Sequence, residues 1–301
     1  MPRRLLIGSV VALMTAFAAC GPSAPDEPVF EPPIVAPLRG ETFSFLVVGD
    51  YGVGGDDEDA VASAMHVWVE EHGADAIVTA GDNVYPEAEP EFFDDAWTRP
   101  FGWVEAAGLR VLPALGNHDV EDGSSAGVIG FFDMPGPWYQ SAIEEVQVIV
   151  LDSNQVDNSA QTAWLRRTLS RSDAVWKVVV VHTPPYDCGR YGGSEEVRSR
   201  WVPSFERNRV ALVLSGHDHN YQRFVDLNGV TYVVAGGGGD ALYELADECP
   251  VETPRLVAAD DSRHHFLVVR GSRARLEVLA IGWDGTIIDR FTLRRDEVPT
   301  P

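Results

Sequence analysis

Positive charge is scarce in this chain of 301 residues. Lys177 is its single lysine, and 23 basic residues stand against 46 acidic ones, which gives a formal net charge of -23 at pH 7. Proteins that bind nucleic acid neutralise its phosphates with lysine and arginine. The composition therefore argues against nucleic-acid binding, while a hydrophobic content of 45% is typical of a globular protein with a sizeable core.

The chain also lacks the glycine loops that bind nucleotides. Its glycine run at residues 236–239 has neither the spacing of a dinucleotide fingerprint nor the Gly-Lys-Ser/Thr of a P-loop. We interpret this run as a flexible loop that another part of the backbone approaches closely.

The apolar run at the N-terminus is too short for a comfortable membrane span. It covers residues 5–17, follows Arg3 and Arg4, and precedes two alanines and Cys20. This pattern predicts a signal peptide over residues 1–20. A cysteine directly after two alanines resembles the lipobox of bacterial lipoproteins, and the resemblance implies that Cys20 is lipidated. Phe17 departs from the usual aliphatic residue of that motif, so ordinary secretion stays open.

We therefore expect an exported protein, located in the periplasm or at the outer cell surface and touching a membrane only through a lipid anchor. The proline-rich segment 21–41 reads as a stiff tether with no packing role. A single folded domain is expected over residues 42–297, as a monomer.

Cysteine is rare, with three in the chain. Apart from Cys20, only Cys188 and Cys249 remain, and both lie in loop-like sequence. Export permits a disulfide, so we predict a bond between these two, as a clamp on loops near the functional site inferred below. Two unpaired thiols are the alternative.

Strand and helix patterns alternate from residue 43, and hairpin patterns follow residue 219. Residues 119–140 read as a long functional loop with packed aromatic side chains. We predict helices over residues 56–71, 90–105, 159–169 (with Ser159 as N-cap) and 195–207. The predicted strands cover residues 43–48, 76–80, 110–115, 146–151, 176–181, 210–214, 221–227, 230–235, 266–270, 275–281 and 287–293. The order predicts one layered α/β domain.

Five of these apolar runs end in Asp, Asn or His, and four of them turn at a glycine first. Ligands collect where the carboxyl ends of strands meet in an open α/β sheet. We therefore expect one site, assembled from these strand ends. The collected polar residues are Asp50, Asp82, Tyr85, Asn117, His182, His217 and His219.

This set offers oxygen and nitrogen ligands without thiolates, which suits transition metals of borderline hardness. Seven ligands exceed the needs of one tetrahedral zinc. They suit two metals about 3.5–4 Å apart that share a carboxylate, an arrangement used for in-line displacement at phosphorus.

Five short motifs contain these residues, in chain order: Asp50-x-Gly52, Gly81-Asp82-x-x-Tyr85, Gly116-Asn117-His118-Asp119, Val179-x-x-His182 and Gly216-His217-x-His219. Together they resemble the motifs of the purple acid phosphatases, which belong to the calcineurin-like metallophosphoesterases. Gly52 stands where other calcineurin-like enzymes usually carry a histidine ligand, and in purple acid phosphatases a tyrosine at the position of Tyr85 replaces that ligand. The resemblance runs from about residue 43 to the C-terminus and implies an α/β fold, a four-layer αββα sandwich of two mixed β-sheets.

The resemblance also implies roles for the residues. Asp50, Tyr85 and His219 would hold a first metal, typically Fe(III). Asn117, His182 and His217 would hold a second, divalent metal (Fe, Zn or Mn), with Asp82 bridging the two. His118 would lie over the substrate phosphate and assist the leaving group, with Asp119 as an orienting partner.

This chain departs from the family in the loop after the fourth motif, where further substrate-binding histidines are not evident. Arg190 or Tyr186 could bind phosphate there instead, although a surface role is equally open. We expect hydrolysis of phosphomonoesters by in-line attack of hydroxide generated at the metals. A phosphodiesterase acting on nucleotides or other phosphodiesters, and a non-catalytic metal-binding surface protein, are the alternatives.

Overall fold

Two β-sheets form the centre of the molecule in the computed structural model, which describes residues 30–120, 123–225, 228–250 and 252–295. The strands are β1 (Phe43–Val48), β2 (Ala76–Thr79), β3 (Arg110–Pro113), β4 (Tyr139–Ile143), β5 (Val146–Leu151), β6 (Trp176–Val181), β7 (Leu212–Ser215), β8 (Tyr221–Val225), β9 (Thr231–Ala235), β10 (Arg255–Asp260), β11 (His265–Gly271), β12 (Arg275–Gly282) and β13 (Ile287–Arg294). The helices are α1 (Asp56–His72), α2 (Arg99–Phe101), α3 (Trp103–Ala106), α4 (Ala126–Phe131), α5 (Ser159–Ser170) and α6 (Glu195–Arg207), with a π-helical turn at Asp94–Thr98 and a 3-10 turn at Ser153–Gln155.

Each sheet mixes parallel and antiparallel strands. The six-stranded sheet has the order β13-β12-β11-β1-β2-β3, in which β1, β2 and β3 are parallel. The seven-stranded sheet has the order β10-β8-β9-β7-β6-β5-β4, in which β5, β6, β7 and β9 are parallel. The parallel strands of both sheets supply the predicted site residues.

The central strands are buried on both faces, as their unbroken Val and Leu runs require. Alternate side chains of β1 and β6, such as Val47 and Val178, meet in a core between the two sheets. The intervening side chains face outward: Leu46 packs with α1, and Val179 packs with α5 and α6. This period of two produces helix, sheet, sheet and helix layers, which confirms the predicted αββα sandwich.

Most predicted elements are confirmed, and three differ in detail. The expected helix over residues 90–105 is broken into the π-helical turn, α2 and α3, because Pro100 has no N–H to donate. The N-cap of α5 is Asn158, whose Oδ1 accepts a hydrogen bond from Ala160 N at 3.0 Å, and Ser159 is the first helical residue. The long loop at residues 119–140 contains α4 and the start of β4.

The described part of the predicted tether packs against the domain, so the expectation of a segment without a packing role is wrong there. Val35 and Leu38 are buried, and Phe30 lies 6.2 Å from Phe266, centroid to centroid. Arg270 donates to Ala36 O at 3.0 Å. Apolar residues between the prolines therefore bind this segment to the outer face of the six-stranded sheet. The signal peptide, Cys20 and residues 21–29 lie outside the described residues.

The loops after β6 and β9 are joined by the predicted disulfide. Cys188 and Cys249 are bonded, with their Cα atoms 4.6 Å apart. Ala246 N also donates to Cys188 O at 2.8 Å, so the two loops are connected by backbone as well. Among the helices of the described residues, none has the length and apolar character needed to cross a membrane.

Candidate metal centre

The predicted site residues converge where the carboxyl ends of the parallel strands of both sheets meet. Asp50 follows β1 and Asp82 follows β2, and Asp50 N donates to Gly81 O at 3.0 Å. His217 follows β7 in the other sheet, and its N–H donates to Asp50 Oδ1 at 2.8 Å. The site therefore spans the two sheets, as the repeated strand ends predicted.

Three of the predicted ligands have a left-handed backbone. The φ angles are 56° at Asp50, 50° at Asp82 and 72° at His217. Non-glycine residues rarely adopt such angles, and strained positions cluster at functional sites. The surrounding contacts hold these three side chains where the site requires them.

Glycines at two of the strand ends leave room for the carboxylates of Asp50 and Asp82. A Cβ atom at Gly216 would overlap the carboxylate of Asp50, and one at Gly116 would overlap that of Asp82. Glycine is therefore required before the polar residue at these strand ends, because a larger residue would overlap a carboxylate from another strand.

Asp82 occupies the middle of the site. Its Oδ2 lies 3.1 Å from Tyr85 Oη and 3.3 Å from His182 Nε2, and its Oδ1 accepts from His118 N at 2.8 Å. His219 Nε2 lies 3.5 Å from Asp50 Oδ1 and 3.4 Å from Tyr85 Oη. Asp82 therefore touches both expected ligand groups, the one containing Tyr85 and the one containing His182.

Backbone carbonyls orient two of the imidazoles. His182 Nδ1 lies 2.9 Å from Ala80 O, and His219 Nδ1 lies 2.8 Å from Ala241 O. A carbonyl oxygen only accepts, so each Nδ1 donates, and Nε2 is the ring nitrogen that faces the site. Metal-binding histidines are oriented in this way.

Buried charges dominate the electrostatics of the site. Burial lowers the pKa of His182, but the carboxylates of Asp82 and Asp50 outweigh it and raise that pKa to about 10. Burial and the charge of His182 lower the pKa of His217 to about 3, so this imidazole is neutral. Burial and the carboxylates of Asp50 and Asp82 raise the pKa of Tyr85 well above its usual range, so a phenolate there needs a positive charge beside it.

The donor set suits cations. Single donor atoms of Asp50, Asp82 and His182 all lie within 4.8 Å of one another, and these side chains are buried. Two buried carboxylates beside a tyrosine require positive charge close by. The residues therefore fit the oxygen- and nitrogen-ligated metals expected from the sequence.

Asn117 and His118 lie at the mouth of the site. Asn117 Oδ1 is 3.1 Å from His182 Nε2. The His118 ring packs 4.4 Å from the Tyr85 ring, and its Nδ1 lies 2.6 Å from Pro86 O. A cleft of about 500 Å³ opens beside Tyr85 and His118. A larger groove of about 710 Å³, between β4, β5 and α5, is lined by other residues.

The expected orienting contact between Asp119 and His118 is not found among the described residues. Asp119 is buried and accepts hydrogen bonds from Gly116 N at 2.7 Å and from Asn83 N at 2.8 Å. It thereby joins the loops after β2 and β3. The Pro86 carbonyl, rather than Asp119, fixes the imidazole of His118.

The two predicted phosphate-binding residues have different surroundings. Tyr186 packs against Tyr232 with ring centroids 4.8 Å apart, at the margin of the core between the seven-stranded sheet and α5 and α6. The Tyr186 ring is half-buried against this apolar layer, and a phosphate-binding role for its hydroxyl stays a prediction. Arg190 is exposed and lies over the ring of Tyr243.

Sequence reasoning missed two aromatic residues at the site. Tyr191 stacks on His217 at 4.3 Å, and Tyr243 stacks on His219 at 4.0 Å, between ring centroids. Both lie in the loops joined by the disulfide. A disulfide predicted near the site was the available signal, because it brings the sequence around Tyr243 close to the loop after β6.

Comparison with known proteins agrees with this geometry. The calcineurin-like phosphoesterase family matches residues 43–221, more than half of the chain. The chain belongs to this family of metal-dependent phosphoric ester hydrolases.

Within the family, the chain is similar to purple acid phosphatases. It is 27% identical to tartrate-resistant acid phosphatase type 5 of Mus musculus over 301 residues, covering 86% of this chain and 92% of that protein. It is 25% identical to purple acid phosphatase 17 of Arabidopsis thaliana over 287 residues, covering 82% of this chain and 83% of that protein.

Solved structures share the fold. The purple acid phosphatase PPD1 of Lupinus luteus superposes with a TM-score of 0.70 at 18% identity, covering 84% of this chain and 53% of that one. GAP50, described as the anchor in the inner membrane complex of Plasmodium, superposes with a TM-score of 0.73 at 17% identity, covering 84% and 88%.

Proposed function

We propose that this protein is a binuclear-metal phosphatase that hydrolyses phosphomonoesters in the manner of the purple acid phosphatases. The position of Asp82 carries the proposal, because its carboxylate lies beside both Tyr85 and His182. A carboxylate shared between two ligand groups is what a metal pair requires.

The metals would be held by the seven residues at the strand ends. Asp50, Tyr85 and His219 would bind one ion, and Asn117, His182 and His217 the other. We propose Fe(III) at the first position, since a strongly charged ion can offset the raised pKa of Tyr85, and divalent Fe, Zn or Mn at the second. Bound there, the ions would activate water for attack on phosphorus and neutralise phosphate oxygens.

His118 would act on the leaving group. Its Nδ1 faces Pro86 O, so this nitrogen carries the proton and Nε2 is free to exchange one with the departing alcohol. The ring lines the cleft beside Tyr85, where the alcohol portion of a substrate would lie. Asp119 supports this role indirectly by joining the loops on either side of the site.

The loop after β6 supports monoesters over diesters. Open access near residues 187–193 would favour diesters, whereas Tyr191 stacks on His217 and narrows this side of the site. A diesterase with the same metal centre remains the second candidate. All seven ligand types are present, which argues against a non-catalytic binding protein.

We further propose that the protein is exported, lipid-anchored at Cys20 or otherwise secreted, and acts in the periplasm or at the outer surface as a monomer. The charged, apolar and small-residue pattern of residues 1–20 supports this proposal. Cleavage at Cys20 and lipid attachment can be read by mass spectrometry of the mature N-terminus.

The experiment compares p-nitrophenyl phosphate with bis-p-nitrophenyl phosphate as substrates of the purified protein. We expect faster turnover of the monoester, and loss of turnover by at least about 100-fold in Asp82→Asn. Asp94→Asn, which removes an exposed carboxylate in the π-helical turn, is the matched control. Preference for the diester would favour the second candidate, and full activity of Asp82→Asn would overturn the two-metal proposal.

A further inference from the structure

Arg190 is separated from the metal ligands by an aromatic ring. The Tyr243 ring lies 4.0 Å from the His219 ring, with an interplanar angle of 13°. The Arg190 guanidinium lies over the same Tyr243 ring, 4.6 Å from its centroid. Because His219 covers one face of Tyr243, the guanidinium occupies the other face, one aromatic layer further from the ligands.

Backbone contacts and the disulfide fix this arrangement. Tyr243 N donates to His219 O at 3.0 Å, and Tyr191 N donates to Asp218 Oδ2 at 3.4 Å. The loops that carry Arg190 and Tyr243 are joined by the bond between Cys188 and Cys249. The position of the guanidinium relative to the site is therefore set by the fold.

The positive charge of Arg190 is also available to a bound anion. It is exposed, and among the described residues no carboxylate lies within ion-pair distance of it. The guanidinium of Arg223, by comparison, is paired with Asp289 at 2.6 Å. In a chain with a net charge of -23, an exposed arginine without an ion pair, one aromatic ring away from His219, is positioned to bind an anion.

We propose that Arg190 binds a second anionic group of the substrate, a carboxylate or phosphate on the alcohol portion. This inference rests on the proposed phosphatase function and refines its substrate class. The phosphoryl group would lie at the ligand side chains, whereas Arg190 lies behind Tyr243. An anion bound by Arg190 must therefore lie away from the phosphoryl group, at a distance that one aromatic ring of the substrate can span. A planar guanidinium suits either anion through paired hydrogen bonds.

The experiment compares two substrates that differ in one charge, 4-carboxyphenyl phosphate and 4-carbamoylphenyl phosphate. For the full-length protein with its metals, kcat/KM is measured for each, and their ratio gives the preference for the second anion. We expect the ratio to exceed one and to fall about three- to tenfold in Arg190→Gln. Arg190→Lys, which keeps the charge without the planar donor pair, should lie between these values.

Arg200→Gln removes an exposed charge from α6 and serves as the control, with no change in the ratio expected. An equal loss on both substrates in Arg190→Gln would contradict the proposal, since it would mean that Arg190 acts on the phosphoryl group. An unchanged ratio would also contradict it, while leaving the phosphatase function standing. Failure of the wild-type protein to hydrolyse either ester would overturn the phosphatase function itself.

Discussion

At the scale of single residues, the site combines unfavourable local features that surrounding contacts hold in place. Asp50, Asp82 and His217 adopt left-handed backbone angles, each at a cost on the order of 1 kcal/mol or more. Buried carboxylates lie beside one another, and glycines make room for them. Such departures from local preference are expected where function, rather than stability, selects the residue.

The close packing of Gly216 leads to a prediction for metal binding. Gly216→Ala should displace the carboxylate of Asp50, because the added Cβ would overlap it. We expect at least a tenfold loss of metal affinity and of activity, measured by metal titration and by phosphatase assay. Gly130→Ala in α4, where a Cβ meets no atom within 4 Å, is the control. Unchanged metal affinity in Gly216→Ala would contradict this packing argument.

Glu58 leads to a prediction for stability against pH. It is buried in α1, Gly54 N donates to its Oε2, and its Oε1 has no hydrogen-bond partner among the described residues. Burial raises the pKa of Glu58 from 4.5 to about 9. The folded state therefore binds a proton that the unfolded state releases between these pH values, so the free energy of unfolding falls as pH rises from about 5 to 9.

Glu58→Gln should abolish this part of the pH dependence. At pH 7 the substitution should raise the free energy of unfolding by about 1–3 kcal/mol, because the amide needs no proton to stay neutral. Urea denaturation at pH 5, 7 and 9 measures it. Glu105→Gln, an exposed change in α3, is the control. Parallel pH profiles for wild type and Glu58→Gln would contradict the prediction.

At the scale of elements, the two loops that cover His217 and His219 act together. The loop after β6 carries Tyr191 and the loop after β9 carries Tyr243, and a disulfide closes a separation of 61 residues between them. The disulfide therefore affects two properties, the stability of the folded chain and the packing of the two tyrosines at the site.

Replacing both cysteines by alanine should affect both properties. In the chain-entropy model, loss of a cross-link that closes a loop of this length lowers the free energy of unfolding by about 4 kcal/mol or less. Looser aromatic packing should also raise KM for p-nitrophenyl phosphate more than it lowers kcat. Urea denaturation and steady-state kinetics measure the two effects, with reduced wild-type protein for comparison. Unchanged stability and KM would show that backbone contacts alone hold the loops.

Sequence patterns predicted the strands buried on both faces and the edge strands β3 and β13, but missed the two edge strands of the seven-stranded sheet. β1, β5 and β6 have the predicted bounds, because strands buried on both faces are continuous apolar runs. β4 and β10 were missed: they are edge strands, and their mixed polar sequence has no clear alternation. Edge strands pair on one side only, so their partner defines them more than their composition does.

At the scale of the whole molecule, the two sheets bring distant strand ends to one site. All seven predicted ligands lie at this junction, because the carboxyl ends of parallel strands share one edge. The surroundings of the ligands could not be predicted in the same way. Pro86 beside His118 and Tyr243 beside His219 depend on how loops from separate elements pack, which no local pattern records.

The most direct test of the metal centre compares metal content with activity in the purified protein. A chelator removes the ions stepwise, and at each step mass spectrometry gives the metal content and p-nitrophenyl phosphate turnover gives the activity. We predict two ions per chain at full activity, and loss of turnover when either ion leaves. Full turnover with one ion per chain or with none would contradict a site in which Asp82 serves two metals.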